Sequence, residues 1–404
     1  MNVLFLTVLS INDINASNIY ADLMRTFIKN GDTVRIVCPT EGAEGENTNY
    51  IDLGNESGIL RVKTDRLQKV SFIRKGISTI TIESKFKNAI KKYLSDIKFD
   101  LILYSTPPIT LAGAIEFVKK RDRAKTYLLL KDIFPQNAVD IGLMTKTGAK
   151  SVIYKMFRAK ETKLYALSDF IGCMSKANVD FVIKNNPEIQ SDRVHISPNT
   201  IEIVNPVKSE QKRREIRKKY AIPQDVTVFV YGGNLGRPQD IPFVISCLKA
   251  NQNKKDRYFV ICGTGTDYHL IEEYVKEQKP DNVLVINGLP KAEYDDFINA
   301  FDVGLIFLDS RFTIPNFPSR LLAYMQSSMP VISCTDKSTD IGDVIENGGF
   351  GFKCFSDSTD SFTSAVEKAL KSDLNALGQK GYEYLENNYT VDKSYEIICS
   401  YTKK

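Results

Sequence analysis

The sequence has few of the residues that build metal centres or disulfide frameworks. Only two histidines occur, His195 and His269, which argues against a centre made of several imidazoles, and both fit structural positions on a strand and on a helix surface. The seven cysteines include no C-x-x-C pair, and several lie inside apolar runs. This odd, scattered set predicts reduced thiols in a cytoplasmic protein, with neither disulfides nor a zinc site.

Long apolar runs are missing as well. No run reaches the ~18 residues that a membrane-spanning helix needs. The opening MNVLFLTVLS is short, lacks a basic start and leads into polar residues, so it predicts a buried strand and not a secretory signal. With 404 residues, of which 43% are hydrophobic and 25% charged, the chain is expected to form a soluble protein of two domains.

What the chain does contain is an alternation of strand and helix patterns, such as the helical Ile19–Asn30 and Ile109–Lys120, that restarts near Thr227. This order predicts an α/β fold with parallel sheets covered on both faces. The predicted strands are Val3–Val8, Val34–Cys38, Leu101–Tyr104, Thr126–Leu130, Phe170–Met174, Thr227–Tyr231, Tyr258–Gly263, Val283–Ile286, Val303–Phe307 and Pro330–Ser333.

Positive charge is concentrated in the first half, where residues 1–200 hold 29 Lys and Arg against 21 Asp and Glu. Its densest part, Lys69–Tyr93, interleaves cations with apolar residues. That pattern fits either a segment lying on an anionic membrane or an ordinary surface helix with a cationic outer face. A second charged run, Ser209–Tyr220, favours a solvated helix near the domain boundary over a nucleic-acid patch.

Glycine-rich loops follow several strands of the second half. In YGGNLGRPQD, three glycines (Gly232, Gly233 and Gly236) allow close approach of a pyrophosphate, and Arg237 can hydrogen-bond it. Later loops of this kind are FVICGTGTDY with Gly263 and Gly265, INGLP with Gly288, and NFPSRLL at the start of a helix. Because a helix N-terminus also favours an anion, the set predicts a site for a nucleotide diphosphate.

The order of these segments resembles the donor domain of the family-4 retaining glycosyltransferases of GT-B fold. The segments are GGNLGR, ICGTGTDYHLIEEY, NGLPKAEYDDFINAFDVGLIF and PNFPSRLLAYMQSSMPVIS. In the first half, STPPITLAGA, YLLLKDIFPQNAVDIGLM, GCMSKANVDFVI and VHISPNT are similar to bacterial members that build O-antigen, capsule and related surface polysaccharides on a lipid carrier. The resemblance covers almost the whole chain.

The resemblance implies a GT-B fold, with two facing Rossmann-like, doubly wound domains and a deep cleft between them. The N-terminal domain, residues 1–205, would bind the acceptor. The C-terminal domain, residues 206–385, would bind the nucleotide sugar. Residues 386–404 would include a helix that crosses back to the first domain, and Thr390–Thr402 is the candidate for it.

The same resemblance gives the expected donor site, with one departure from the family. Many members carry a pair of glutamates near the sugar and the ribose, at positions that here are Pro315 and Ala323. Where relatives have Arg and Lys for the diphosphate, this chain has Asn234 and Gln239. We therefore expect Arg320, supported by Arg237, to pair with the diphosphate. The donor-binding candidates are Gly232, Gly233, Asn234, Gly236, Gly263, Gly265, Leu289, Phe317, Pro318, Ser319 and Leu321.

On the acceptor side the candidates follow two strands of the first half. Asp132, in KDIFP, is the catalytic candidate for touching the transferred sugar or the acceptor hydroxyl. Its alternative interpretation is a helix or turn cap before Pro135. Lys131 precedes it. Asn12 and Asp13 come after the first strand and could line the acceptor side.

The expected reaction is transfer of a hexose or N-acetylhexosamine, with retention, from a UDP-sugar to a polyprenyl-diphosphate-linked saccharide. No D-x-D pair is placed to hold a metal, so metal-independent catalysis is expected, with no cofactor and no nucleic-acid partner. The protein is expected to associate peripherally with the inner face of the cell membrane. Two alternatives remain: a GT-B protein that binds nucleotide sugar without efficient transfer, and a nucleotide-sugar 2-epimerase.

Overall fold

The computed structural model describes residues 1–40, 47–64, 72–204 and 209–403, without the side chains of 72–80 and 291–292. These residues form two compact units. The first contains Met1–Glu202 and Thr390–Lys404, and the second contains Ile203–Tyr389. The boundaries expected from the sequence are 205/206 and 385/386, and the chain leaves the first unit once and returns to it at its end.

The first unit is built on an eight-stranded sheet of order β3-β4-β2-β1-β5-β6-β7-β8. Its strands pair in parallel except β3 with β4, which are antiparallel. The strands are β1 (Asn2–Leu6), β2 (Thr33–Pro39), β3 (Asn49–Gly54), β4 (Ser57–Val62), β5 (Leu101–Ser105), β6 (Lys125–Leu130), β7 (Phe170–Cys173) and β8 (Val194–Ile196).

Helices cover both faces of this sheet, and two apolar clusters form its core, one on either side. The helix α1 begins where the Asn18 side chain accepts hydrogen bonds from the first free backbone N–H groups. The helices are α1 (Ile19–Lys29), α2 (Phe72–Tyr93), α3 (Ala112–Asp122), α4 (Gln136–Asp140), α5 (Ser151–Leu167) and α6 (Lys176–Asn185).

The second unit contains an all-parallel sheet of order β11-β10-β9-β12-β13-β14. Its central strands are fully buried, as the apolar runs predicted. The strands are β9 (Thr227–Asn234), β10 (Arg257–Thr264), β11 (Val283–Ile286), β12 (Val303–Phe307), β13 (Val331–Thr335) and β14 (Gly351–Phe355). All ten predicted strands are confirmed, within a few residues at their ends.

The remaining helices belong to the second unit, except the last. They are α7 (Glu210–Lys219), α8 (Ile241–Asn251), α9 (Tyr268–Gln278), α10 (Lys291–Ile298), α11 (Arg320–Gln326), α12 (Ile341–Asn347), α13 (Thr359–Leu370), α14 (Leu374–Asn388) and α15 (Val391–Thr402). The last helix, α15, packs in the first unit, where the Tyr395 hydroxyl donates to Asp32 at 2.9 Å and its ring meets Phe27 edge-on.

Both charged segments form helices that pack on the core. In α2, Phe86 and Ile90 are fully buried, so these two residues are core positions and do not face a membrane; residues 69–71 and the side chains of 72–80 lie outside the described part. In α7, Arg217 is fully buried and bonds to Asp302 at 2.7 Å. Within residues 1–40, 47–64, 72–204 and 209–403, no helix combines the length and apolarity needed to cross a bilayer.

Candidate functional site

The sheet of the second unit reverses its winding between β9 and β12. The strands β10 and β11 follow on one side of β9, and β12 to β14 follow on the other. Open parallel sheets bind ligands outside the carboxyl ends of their strands at such a switch point. The β9–β12 register consists of two residue pairs, Val303–Phe229 and Gly304–Val230.

Tyr324 fills the space between β9 and β12 beyond these pairs. Its buried hydroxyl lies 3.0 Å from the carbonyl oxygen of Leu305 and 3.3 Å from that of Val230, and it accepts a hydrogen bond from the Gly232 N–H at 3.3 Å. A Cβ at Gly304 would clash with the ring. The phenol thus satisfies backbone groups that the sheet leaves unpaired and holds the crevice open.

The predicted glycine loops meet at this crevice, and their glycines permit close packing inside the protein. A Cβ at Gly232 would overlap the Tyr294 hydroxyl, and a Cβ at Gly263 would overlap the carbonyl oxygen of Gly233. A Cβ at Gly265 would overlap the backbone of the first loop in the same way. Gly233 itself is exposed, with φ +131°, a conformation that favours glycine. Gly265 is exposed as well, after β10, and Gly233 presents its backbone to solvent at the end of β9.

Arg320 lies at the same end of β9. Its Nη1 donates to the Gly232 carbonyl oxygen at 3.0 Å, and its guanidinium lies 4.3 Å from the centre of the Tyr231 ring. The side chain is half-buried, and it forms no ion pair with any residue in the described part of the chain. A partly desolvated cation without a carboxylate is a favourable place for an anion.

Arg237 and its neighbours occupy the turn after β9. Arg237 is exposed and is likewise without an ion pair among the residues described, in the 3-10 turn Arg237–Gln239. Gln239 is buried and bonds to the Asn234 amide at 2.7 Å and to the Gly236 N–H at 3.3 Å. The two amides, at the positions where the resemblance would place cations, are therefore bonded to each other.

The remaining donor candidates lie at the start of α11 and, for Leu289, after β11, and their side chains are not equally available. Leu321 is fully buried and Phe317 nearly so, whereas Ser319 is exposed and Leu289 and Pro318 are half-buried. Ser319 makes no side-chain cap, and α11 has only seven residues. The dipole of so short a helix contributes little, so the charge of Arg320 is the stronger attraction for an anion.

The two positions where the resemblance would place glutamates are occupied by apolar residues. Pro315 is buried before α11, and Ala323 is half-buried within it. Sequence reasoning missed a carboxylate nearby: Asp309, fully buried after β12, is bonded by Arg311 and donates its backbone N–H to Pro238 at 3.0 Å. This contact joins the loops that follow β9 and β12.

In the first unit, Lys131 and Asp132 follow β6 directly. Burial raises the pKa of Asp132 to about 6, although hydrogen bonds from the Ile133 backbone and the Asn137 amide oppose the shift. Burial lowers the pKa of Lys131 to about 7. The Lys131 ammonium donates to the Ser197 carbonyl oxygen at 3.2 Å. The structure thus holds an acid and an amine that can both exchange protons near neutral pH at one strand end.

Two further residues hold Lys131 and Asp132 in place, and neither was predicted from the sequence. Thr106, after β5, accepts the Lys131 N–H at 3.1 Å and donates to the Asp132 carbonyl oxygen at 3.2 Å. The Asn137 amide donates to both Asp132 carboxylate oxygens, at 3.0 and 2.8 Å. The Asp132 carboxylate also accepts a hydrogen bond from the Ile133 backbone N–H, a local contact of the kind expected from its alternative interpretation as a cap.

The other acceptor-side candidates lie in an exposed loop. Asp13 accepts from the Asn15 N–H at 2.9 Å, and Asn12 accepts from the Ser10 hydroxyl at 3.3 Å. These are local turn contacts, and both side chains are exposed. They follow β1 on the same sheet edge as the residues after β5 and β6.

Both histidines occupy structural positions. His195 stacks on Tyr401 of α15 at 3.6 Å and bonds to the Tyr127 hydroxyl at 2.7 Å, and burial lowers its pKa to about 4. His269 is exposed on α9. Over the ranges described, no group of three or more His, Cys, Asp or Glu side chains could hold a metal ion.

Residues 212–387 match the family "Glycosyl transferases group 1". The match lies within the second unit and includes both of the glycine loops, Arg237 and Arg320. The chain is also similar to "Probable glycosyltransferase WbjE" of Pseudomonas aeruginosa, with 24% identity over 341 residues that cover 84% of this chain and 82% of the relative.

Solved structures match the whole length of the chain. Sucrose-phosphate synthase of Thermosynechococcus elongatus has a TM-score of 0.76 at 14% identity, over 100% of this chain and 98% of the other. HepE of Anabaena, in complex with UDP and glucose, has a TM-score of 0.68 at 11% identity, over 99% and 98%. The predicted GT-B class of α/β fold is confirmed, and the comparisons together support a glycosyltransferase.

Proposed function

We propose that the chain is a retaining glycosyltransferase that moves a hexose or N-acetylhexosamine from a UDP-sugar to a lipid-linked saccharide in surface polysaccharide synthesis. The observation that carries the proposal is Arg320, a half-buried guanidinium without a carboxylate partner in the described chain. It lies at the switch point of a unit that matches the group 1 glycosyl transferases. A nucleoside diphosphate supplies the anion that this cation lacks.

In this proposal Arg320 acts on the leaving group. Breaking the bond between the anomeric carbon and the phosphate leaves a diphosphate with growing negative charge. A fixed cation and the exposed backbone at Gly233 stabilise that charge more strongly in the transition state than in the bound donor. Arg237 adds a second cation, so no metal ion is required.

The acceptor hydroxyl attacks from the face that the phosphate leaves, which gives retention. A donor phosphate oxygen then takes its proton, and no strong side-chain base is needed. Asp132 hydrogen-bonds the transferred sugar or the acceptor hydroxyl, with Lys131, Asn12 and Asp13 on the acceptor side. The position of Asp132 at the carboxyl end of β6, fixed by Thr106 and Asn137, supports this role.

The choice of UDP and of a lipid-linked acceptor has different support. HepE, with the same fold, is solved with UDP and glucose bound. The acceptor class depends on the resemblance of the first half to enzymes of O-antigen and capsule synthesis. Such an acceptor requires that the protein work at the inner face of the membrane, as a peripheral protein.

One observation favours a second candidate, a GT-B protein that binds nucleotide sugar without efficient transfer. Pro315 and Ala323 replace the family's glutamates and offer no carboxylate to the ribose or the sugar. A 2-epimerase is less favoured, because it would need more acidic and histidine side chains around the crevice. Product analysis with a radiolabelled donor separates the three, since it detects transferred sugar, bound donor only, or epimerised donor.

The donor site is tested by nucleotide binding. We expect UDP and one UDP-sugar to raise the melting temperature and to bind equally well with and without Mg²⁺. Arg320→Ala should weaken binding by about tenfold or more, as expected for a lost charge-assisted hydrogen bond. The matched control is Arg214→Ala, an exposed arginine on α7 of the same unit, which should bind normally. Normal UDP affinity in Arg320→Ala would contradict the assignment.

A further inference from the structure

An apolar patch lies on the surface of the first unit, at the start of α5. Among the residues described, nine large hydrophobic side chains are exposed, and four of them belong to this patch. Val152, Ile153 and Met156 are spaced so that they share one face of the helix, and Leu143 precedes it. Their exposed fractions are 68%, 48%, 41% and 43%. We call these four residues the α5 patch.

Positive charge surrounds the α5 patch. Residues 141–160 contain five cations and no Asp or Glu, so this short segment carries a charge equal to the +5 of the whole chain. Three of the lysines, Lys146, Lys150 and Lys155, are exposed beside the apolar side chains. The full set is Lys146, Lys150, Lys155, Arg158 and Lys160, of which Arg158 is paired with the buried Glu161 directly after the segment.

The α5 patch is not the face that holds its helix on the sheet. That role belongs to Phe157, Leu164 and Tyr165, which are buried in the core of the unit. The buried Glu161 binds Arg158 at 2.7 Å on the same side. The four side chains of the α5 patch, each at least 41% exposed, are therefore not part of the apolar core that holds the helix on the sheet.

The α5 patch lies at the same edge of the sheet as the acceptor-side candidates. The strands β6 and β7 are parallel neighbours, so the connection through α5 must return along the sheet and begin near its carboxyl edge. A ring contact agrees with this: Phe134, two residues after Asp132, meets Phe157 edge-on at 5.0 Å. Lys131 and Asp132 therefore lie on the edge of the sheet where α5 begins.

We propose that the α5 patch docks the first unit on an anionic lipid surface. The four apolar side chains enter the boundary between headgroups and acyl chains, and the lysines bind lipid phosphates. Charge selects this occupant, because a second copy of the chain would bring the same cations against these, and a nucleic acid would leave the apolar side chains in water. The functional consequence, delivery of a lipid-linked acceptor to Asp132, depends on the proposed function; the docking does not.

Vesicle sedimentation of the full chain tests the docking. We expect binding to vesicles of phosphatidylcholine mixed with phosphatidylglycerol, weak binding to phosphatidylcholine alone, and weaker binding at high salt. Lys150→Gln with Lys155→Gln should lower the partition coefficient by about tenfold or more, since each cation contributes several-fold. Val152→Ser with Ile153→Ser should lower it by a similar factor. Circular dichroism verifies that each variant is folded.

Matched controls test whether vesicle binding depends on the α5 patch itself or only on the net charge and the exposed apolar area of the whole chain. Lys254→Gln with Lys255→Gln removes the same charge from an exposed turn of the second unit and should bind vesicles normally. Val204→Ser removes an apolar side chain that is 61% exposed elsewhere and should also bind normally. Equal losses in the patch variants and in their controls, or concentration-dependent dimers that the patch variants abolish, would overturn the proposal.

UDP binding, measured on the same proteins, distinguishes failure of the docking proposal from failure of the donor-site proposal. The patch variants should retain normal UDP affinity, because they change no residue of the second unit. A chain that binds UDP but not vesicles would refute the docking and leave the donor site intact. A chain that binds vesicles but not UDP would refute the donor site and leave the docking intact.

Discussion

Asp132 shows how burial can prepare a single carboxyl group for proton exchange. Its folded-state pKa of about 6 lies above the ordinary 3.8, because burial disfavours the charged form. Folding therefore favours the protonated carboxyl. The stability that this contributes is complete below about pH 4 and is lost as the pH rises through about 6.

This shift gives a prediction for Asp132→Asn, which cannot ionise. Relative to the variant, the wild type should lose about 1–3 kcal/mol of unfolding free energy between about pH 4 and about pH 7. Urea unfolding followed by circular dichroism measures the difference, since the chain contains no tryptophan to report on it. Parallel pH profiles of the two proteins would show that folding does not raise the pKa of this carboxyl. Sugar transfer by the variant should fall at least tenfold at unchanged donor affinity.

Only some residues of the candidate site could be predicted from the sequence. Arg320 and Gly233 could be placed, because a loop after a strand and a loop before a helix have local signatures. Tyr324 could not, because its role depends on Val230 and Leu305, which lie on the neighbouring strands β9 and β12. Its sequence neighbourhood is that of an ordinary apolar helix. The same holds for Thr106, whose bonds to Lys131 and Asp132 cross from one strand end to the next.

At the scale of elements, strands made of an uninterrupted apolar run were predictable, including the edge strand β11, and the antiparallel pair β3–β4 was not. The strands β12 and β13 are short runs of fully buried residues, so their composition alone identifies them. The edge strand β3 alternates exposed and half-buried residues, and its partner β4 follows a turn at Asn55 and Glu56 with positive φ. Neither strand was predicted: the residues of β3 resemble those of a loop, and β4, although mostly buried, begins with Ser57 and Gly58 and contains Arg61.

The helix α7 shows that a highly charged sequence does not by itself predict which residues are exposed. Its sequence suggested a solvated helix, but Arg217 is fully buried. The guanidinium donates to the carbonyl oxygens of Ala300 and Val226, at 3.0 Å each, and binds Asp302 at 2.7 Å. It therefore fastens α7 to the segment that leads into β12.

Arg217→Met should destabilise the second unit by about 3–5 kcal/mol, because it leaves Asp302 without its buried partner and several carbonyl groups unbonded. The matched control is Arg214→Met on the exposed side of the same helix, which should change stability by less than about 0.5 kcal/mol. Urea midpoints of the two variants make the comparison. Equal midpoints would mean that α7 contributes no more than a solvated helix does.

For the molecule as a whole, the sequence was a good guide to the class of fold. Two successive series of alternating strands and helices specify two parallel-sheet units, and the comparisons confirm the GT-B class. What the alternation alone could not specify is the unit in which the last helix packs. Ile398 of α15 is fully buried in a core cluster that also contains Phe5 and Phe27 of the first unit.

This division predicts that damage to the two adjacent C-terminal helices has opposite effects on the units. Ile398→Ala, in α15, should cost about 2–5 kcal/mol and raise amide hydrogen exchange in β1 and α1, leaving β9 and β12 protected. Leu385→Ala, in α14, removes an equally buried residue only 13 positions earlier and should produce the reverse pattern. Mass spectrometry of exchanged peptides distinguishes the two outcomes. If either variant raised exchange equally in both units, they would unfold as one cooperative body, and the contact-based division would not describe the stability of the protein.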